Sequence, residues 1–368
     1  MPDRPCPQRG LERVSPYVPG KPIDEVKREY GLDDVIKLAS NENPLGVSPK
    51  ALAAMHEAIE RVNLYPDASS HDLRTAIGRH FDLPLDHVAV GNGADDLVLQ
   101  LSMACLDEGD RVVVSRSSFP IYDLYAHVMR ADVVKTPLAA GHRIDLDAMA
   151  DAIDERTKLV YVCNPNNPTG TIVHADAVDR FLERVPDCVV VVFDEAYREM
   201  VDDDDFPATV DLVRAGRPNV VVLRTFSKVY GLAGIRLGYA LAHPDLVATL
   251  MRVKTICNVN RAAQAAGIAA LDDADFLARS VDANRAGRRF LYDAFERLGL
   301  EYAESHTNFV LVRIGPRAEA IQQALLAAGV IVRPCCGYDL PAFLRVSIGT
   351  PAENERLVSA LERSLDER

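Results

Sequence analysis

The sequence predicts an α/β fold: a large domain on a mainly parallel sheet, followed by a smaller α+β domain. Three observations predict it. The chain has 368 residues, more than one simple core accommodates. Its first two-thirds alternate short Val-rich runs with helix-like segments. Beyond about residue 255, long helical stretches take over. Uninterrupted apolar strands separated by helices are the pattern of a parallel sheet covered on both faces.

The elements follow in order. Residues 1–22 hold six prolines, at 2, 5, 7, 16, 19 and 22, which predicts an extended arm rather than a helix. "SPKALAAMHEAIERV" opens with a Ser-Pro start signal and keeps helical spacing. Strands are predicted at "HVAVGNG" (87–93), "RVVVS" (111–115), "KLVYVCN" (158–164), "CVVVVFD" (188–194) and "NVVVLRT" (219–225). "ADDLVLQLSMACL" and "HADAVDRFLERVP" read as helices between them. "VDDDDF" (201–206) reads as a solvated loop tip. Helical stretches over 262–298 lead to strand-like "TNFVLVRI", a helix at 317–328, and then "GVIVRP" and "FLRVSIGT". No internal repeat is visible.

Composition narrows the function classes. Asp plus Glu number 54 against 41 Lys plus Arg, a net charge of −13, which argues against a nucleic-acid-binding surface. An anionic ligand then requires arginines placed locally. Seven cysteines lack metal-finger spacing and read as reduced thiols of a cytosolic protein, the vicinal Cys335-Cys336 as loop thiols. The N-terminus has no apolar core of a secretory signal, and no window approaches the length of a membrane span.

In an open α/β sheet, ligands sit at the carboxyl ends of the strands, and there the unusual residues gather. "GNGADD" (91–96) closes a strand and opens a helix, which offers a backbone N–H cradle for phosphate. Alone it is an ordinary turn. "CNPNNPTG" (163–170) is a tight loop with two asparagines between its prolines. "VVVVFDEAY" leaves Asp194 at the end of an apolar strand, where a carboxylate needs a cation or a donor, or else caps the next helix. Tyr197 lies three residues on. "RTFSKVYGLAGIRLGY" (224–239) leaves a strand through Thr225, Ser227 and Lys228, with Arg236 eight residues beyond the lysine. Hydroxyls and a guanidinium are the inventory for a phosphate dianion. A lysine beside such a cradle, with an Asp at a neighbouring strand end, points to pyridoxal 5'-phosphate. That cofactor requires a Schiff-base lysine, a carboxylate for its ring nitrogen, donors for its phenolate and a phosphate cup.

With these motifs the chain resembles the fold-type-I, pyridoxal-phosphate-dependent transferases of class I/II, specifically the histidinol-phosphate aminotransferase family. The resemblance spans about residues 11–365. It rests on "SPYVPGKP" (15–22), "KLASNENPLGVSP" (37–49), "NLYPD" (63–67), "GNGADD", "NPNNPTG", "DEAY", the lysine segment, "TNF" (307–309) and "LRVSIGTPAEN" (344–354). It implies a large domain with a mainly parallel seven-stranded sheet over 47–255. It also implies a small α+β domain from 23–46 and 256–368, and an arm over 1–22. The implied reaction moves the amino group of L-histidinol phosphate to 2-oxoglutarate by double displacement, in histidine biosynthesis.

The resemblance also implies roles. Lys228 is the Schiff-base lysine and proton shuttle. Asp194 pairs with the pyridine nitrogen, and Tyr197 and Asn167 with the phenolic oxygen. The N–H groups around Ala94 and Asp95, with Thr225, Ser227 and Arg236, hold the phosphate. Tyr65 reaches that phosphate from a partner subunit, which implies a homodimer with shared sites. Phe119 stacks on the ring. Arg345 clamps the substrate carboxylate and Arg333 the substrate phosphate. Tyr17 closes over the substrate, and Asn43 lines the pocket. One departure stands out: "ICNVN" (256–260) puts Ile256 and Cys257 where many members have Pro and an aromatic. Two neighbouring activities share this scaffold, aromatic amino-acid transamination and phosphothreonine-type decarboxylation. A transcription regulator with an aminotransferase-like domain is disfavoured by the acidic charge and by how much of the chain the pattern uses.

Overall fold

The computed structural model describes residues 9–14 and 20–366. Tyr17 lies outside the described residues. The strands are β1 (Ile36–Leu38), β2 (Val88–Gly91), β3 (Arg111–Ser115), β4 (Asp132–Thr136), β5 (Thr157–Cys163), β6 (Val190–Asp194), β7 (Val220–Thr225), β8 (Gly238–Ala242), β9 (Phe309–Arg313), β10 (Val330–Pro334) and β11 (Phe343–Ser347).

The large sheet has seven strands in the order β2-β8-β7-β6-β5-β3-β4. β8 runs antiparallel to both neighbours, and the remaining pairs are parallel. Val191, Val192 and Phe193 on β6, and Val220, Val221 and Val222 on β7, are wholly buried. Helices on both faces account for these continuous apolar runs. Two strands of this sheet lack a strand signal in the sequence. β4 lies at the sheet edge, is only half-buried and carries Lys135, so it lacks the Val-rich signature. β8 is built from Gly238, Tyr239, Ala240, Leu241 and Ala242, and small residues carry little strand propensity.

The second sheet has the order β1-β10-β11-β9. β1, far upstream in sequence, pairs parallel with β10. The helices Ala274–Arg297 and Pro351–Asp366 bury Leu291, Phe295, Leu357 and Leu361 against this sheet. The helix Arg261–Leu271 differs from the expected division at 255/256: its Ala263, Ala266 and Ala270 are buried in the core of the large sheet.

The acidic "VDDDDF" segment is more than a solvated tip. Asp202 meets the buried Arg288 at 2.6 Å, with Arg285 at 3.8 Å and His306 at 3.7 Å. A buried guanidinium needs a counter-charge, and Asp202 supplies it across the junction of the two sheets. Among the described cysteines none is paired; Cys335 is buried and Cys336 exposed.

Candidate active site

Three adjacent parallel strands end beside one another. Cys163, the last residue of β5, pairs with Asp194, the last of β6, and Asp194 with Leu223 near the end of β7. A cavity of about 310 Å³ opens between these ends and the second sheet. A buried ion pair and a part-buried one beside it fasten the ends of the two strands nearest the lysine. Arg224 Nε donates to Glu195 Oε2 at 2.8 Å, and Arg224 NH1 to Glu199 at 3.2 Å.

Asp194 forms the floor and is 5% exposed. Burial pushes its carboxyl up to about 6, against the hydrogen bonds that favour the charge. Those bonds come from the Tyr122 hydroxyl at 2.6 Å and the Ala196 N–H at 3.2 Å. Tyr122 is held by stacking on Tyr161, with centroids 4.4 Å apart. No sequence signal marked Tyr122, which looks like any tyrosine on an apolar helix face.

Lys228 follows β7 on a buried loop, and its amine lies 5.6 Å from the centroid of the Tyr197 ring. Loss of water, aided by the positive charge of Arg345, holds the amine down at about 8. Such an amine is a working base and nucleophile near neutral pH. Tyr197 is buried, and its phenol is pushed up, chiefly by desolvation. Its oxygen accepts from Asn41 Nδ2 at 2.9 Å.

At the other end, the helix Ala94–Cys105 points its N-terminus at the cavity from Gly93, at φ 89°. A side chain on Gly93 would overlap the Arg236 guanidinium, and one on Gly238 the Ala94 N–H. Both glycines thus let backbone and guanidinium close around a small space. Thr225 Oγ1 donates to Ser227 Oγ at 3.0 Å. Arg236 approaches Asp95 at 3.7 Å and donates to the Ala233 carbonyl at 3.0 Å. Free N–H groups, two hydroxyls and a guanidinium suit a phosphate. Phe119 lines the cavity wall, its ring edge-on to Tyr122.

Arg345 on β11 is buried. It donates to Asn167 Oδ1 at 2.5 Å and to the Ala39 carbonyl at 2.7 Å, while its Nε has no hydrogen-bond partner among the described residues. Arg333 lies directly opposite it on β10. Opposed residues of an antiparallel pair share a face, and like charges there repel, so the pair favours an anion between them.

Some expected residues are placed elsewhere. Asn43 does not line the cavity; this corrects the expectation. Its amide donates to the Val229 carbonyl at 2.8 Å and to Ser280 Oγ at 2.9 Å. The asparagine of "SNENP" that faces the cavity is Asn41. Tyr65 does not line the cavity of its own chain and is 88% exposed. Ile256 is 84% exposed, and Cys257 faces the Pro66 carbonyl, so the "ICNVN" departure lies on the outer surface and not in this wall. Lys37, Glu42 and Tyr338 line the cavity without having been singled out by the sequence.

Comparison with known proteins is consistent with this geometry. The family described as aminotransferase class I and II matches residues 33–361. A histidinol-phosphate aminotransferase of Moorella thermoacetica is 47% identical over 96% of this chain and 91% of its own. Histidinol-phosphate aminotransferase 1 of Cupriavidus pinatubonensis is 49% identical, covering 96% of this chain and 95% of its own. The crystal structure of a histidinol-phosphate aminotransferase from Sinorhizobium meliloti, in complex with pyridoxal-5'-phosphate, superposes with a TM-score of 0.89 at 30% identity, over 97% of this chain and 96% of that one. With nearly the whole length matched in sequence and in fold, the chain belongs to the class I and II aminotransferases and, within them, to the histidinol-phosphate aminotransferase family.

Proposed function

We propose that this protein transfers the amino group of L-histidinol phosphate to 2-oxoglutarate, using pyridoxal phosphate held at the strand ends. The observation that carries the reading is one cavity lined by Lys228, the buried Asp194 carboxyl and the two opposed arginines Arg333 and Arg345. The donor set fits the cofactor group by group. Asp194 suits a protonated ring nitrogen, because an opposite charge repays its desolvation. Tyr197 and Asn167 suit a phenolic oxygen. Thr225, Ser227, Arg236 and the N–H groups at Ala94 and Asp95 suit a phosphate.

Pyridoxal phosphate supplies an aldehyde for amines and a ring that accepts the electron pair left when Cα–H breaks. The protein's own groups do the rest. Lys228 Nζ, whose depressed pKa makes the neutral amine accessible near pH 8, would take the proton from the substrate Cα and hold it for return to the reacting molecule. Tyr122 holds the Asp194 carboxyl in one orientation. Histidinol phosphate carries its phosphate where an amino acid carries its carboxylate. The Arg345 fork, with Arg333 opposite, therefore serves the phosphate of one substrate and the carboxylate of the other. We further infer that two copies of the chain share each site. The support is the exposed Tyr65, with two more exposed apolar residues nearby: Val62 at 74%, three positions before it, and Ile256 at 84%, whose neighbour Cys257 meets the Pro66 carbonyl.

The test is a donor panel with 2-oxoglutarate, including histidinol phosphate, phenylalanine and tyrosine. Preference for phenylalanine with histidinol phosphate inert would overturn the reading in favour of an aromatic aminotransferase. Carbon dioxide release without consumption of 2-oxoglutarate would favour a decarboxylase.

A further inference from the structure

On the reading above, one cavity alternates between two unlike substrates. Each carries an anion close to its reacting carbon, on the side where Arg345 and Arg333 would stand. Their far ends have opposite needs. An imidazole N–H seeks an acceptor, and a second carboxylate seeks a cation.

Lys37 and Glu42 line the same cavity. Lys37 is the middle residue of β1, two positions before Ala39, whose carbonyl anchors Arg345. Lys37 Nζ donates to Glu42 Oε1 at 2.9 Å. The two side chains are 23% and 49% exposed, whereas Arg345 is buried, so the pair stands toward the mouth and Arg345 deeper. Of the other two carboxylates lining the cavity, Asp194 is held by Tyr122 and Asp95 faces Arg236. Glu42 is thus the carboxylate left for the substrate end. An ion pair this exposed adds little to stability and opens readily.

We propose that the Lys37–Glu42 pair reads the far end of both substrates. Glu42 accepts the imidazole N–H of the amino donor, and Lys37 donates to the distal carboxylate of glutamate and 2-oxoglutarate. The Glu42 half rests on the donor reading of the preceding subsection. The Lys37 half requires only a dicarboxylate partner. One pair of opposite charges thereby gives a single pocket two specificities without a change of fold.

Lys37→Met and Glu42→Gln in the full-length holoenzyme test this. In a double-displacement reaction, kcat/KM is obtained for each substrate separately. Lys37→Met is expected to lower kcat/KM for 2-oxoglutarate roughly ten- to hundredfold, the range of one charge-assisted hydrogen bond, and that for histidinol phosphate several-fold less. Glu42→Gln is expected to do the reverse. Calorimetric titration with glutarate, an unreactive dicarboxylate of the same length, reads Lys37 without turnover: roughly tenfold weaker binding in Lys37→Met and none of that loss in Glu42→Gln. Opposite shifts in the two variants exclude misfolding as the cause. Equal losses for both substrates in both variants, or no loss in either, would overturn the proposal. Glutarate binding unchanged by Lys37→Met would overturn the role of Lys37. If the unaltered enzyme leaves histidinol phosphate untouched yet transaminates another amine, the donor reading and the Glu42 role fall together; a glutarate response then still supports Lys37.

Discussion

At the residue scale, chemistry follows from how much water each ionisable group loses. Lys228 is held down at about 8, first by burial and then by Arg345. Capture of pyridoxal phosphate by the cofactor-free protein needs the neutral amine. Below pH 8 its fraction falls about tenfold per pH unit, and above pH 8 it levels off. The capture rate, followed by visible absorbance from about pH 6.5 to about 9.5, should rise and then plateau near 8. An ordinary lysine, at about 10.4, would give a rate still climbing at the top of that range. Lys228→Ala should show no such signal. Arg345 is a second case. Its fork already spends one arm on Asn167 and one on Ala39, and its geometry rather than its charge makes it specific. Arg345→Lys keeps the charge and loses the planar fork. Steady-state kinetics should show kcat/KM down roughly ten- to hundredfold for both substrates, the worth of one charge-assisted hydrogen bond at ~1.5–3 kcal/mol.

At the element scale, the ends of β6 and β7 are fixed by the buried Arg224–Glu195 pair. Thr209 donates its hydroxyl to Glu195, and Glu199 adds a second carboxylate. Removing one member strands the other charge in the interior. Glu195→Leu should destabilise the protein by about 3–5 kcal/mol, read as a lower urea midpoint, whereas Glu199 is more exposed and its loss should cost less. The motif "DEAY" thus carries two functions in neighbouring residues: Asp194 faces the cavity and Glu195 faces the sheet. Alternation along an extended strand end places them so. Asp194 is legible in the sequence because a carboxylate after five apolar residues is conspicuous. Glu195 gives no such signal, since its partner Arg224 lies 29 positions downstream. β4 and β8 are illegible in the sequence for a related reason: an edge strand and an alanine-rich strand owe their place to neighbours, not to their own propensity.

At the scale of the whole molecule, an outer surface carries Val62, Tyr65 and Ile256, each more than 70% exposed. Exposed apolar groups of this kind mark association surfaces. Val62→Asp combined with Ile256→Asp should shift the protein from dimer to monomer in light scattering and weaken cofactor retention. A monomeric unaltered protein would count against the shared site. The sequence by itself determined the alternation of strand and helix, the glycines and hydroxyls of the phosphate end, and the lysine and carboxylate at adjacent strand ends. These are local: each follows from residue type at fixed spacing. Only the tertiary structure decided which asparagine of "SNENP" meets Tyr197, that Tyr122 holds Asp194, that Asp202 ties the two sheets through Arg288, and that Arg333 faces Arg345. Each of these joins residues brought together by packing and strand register, and register depends on the pairing of whole faces rather than on any single residue's preference.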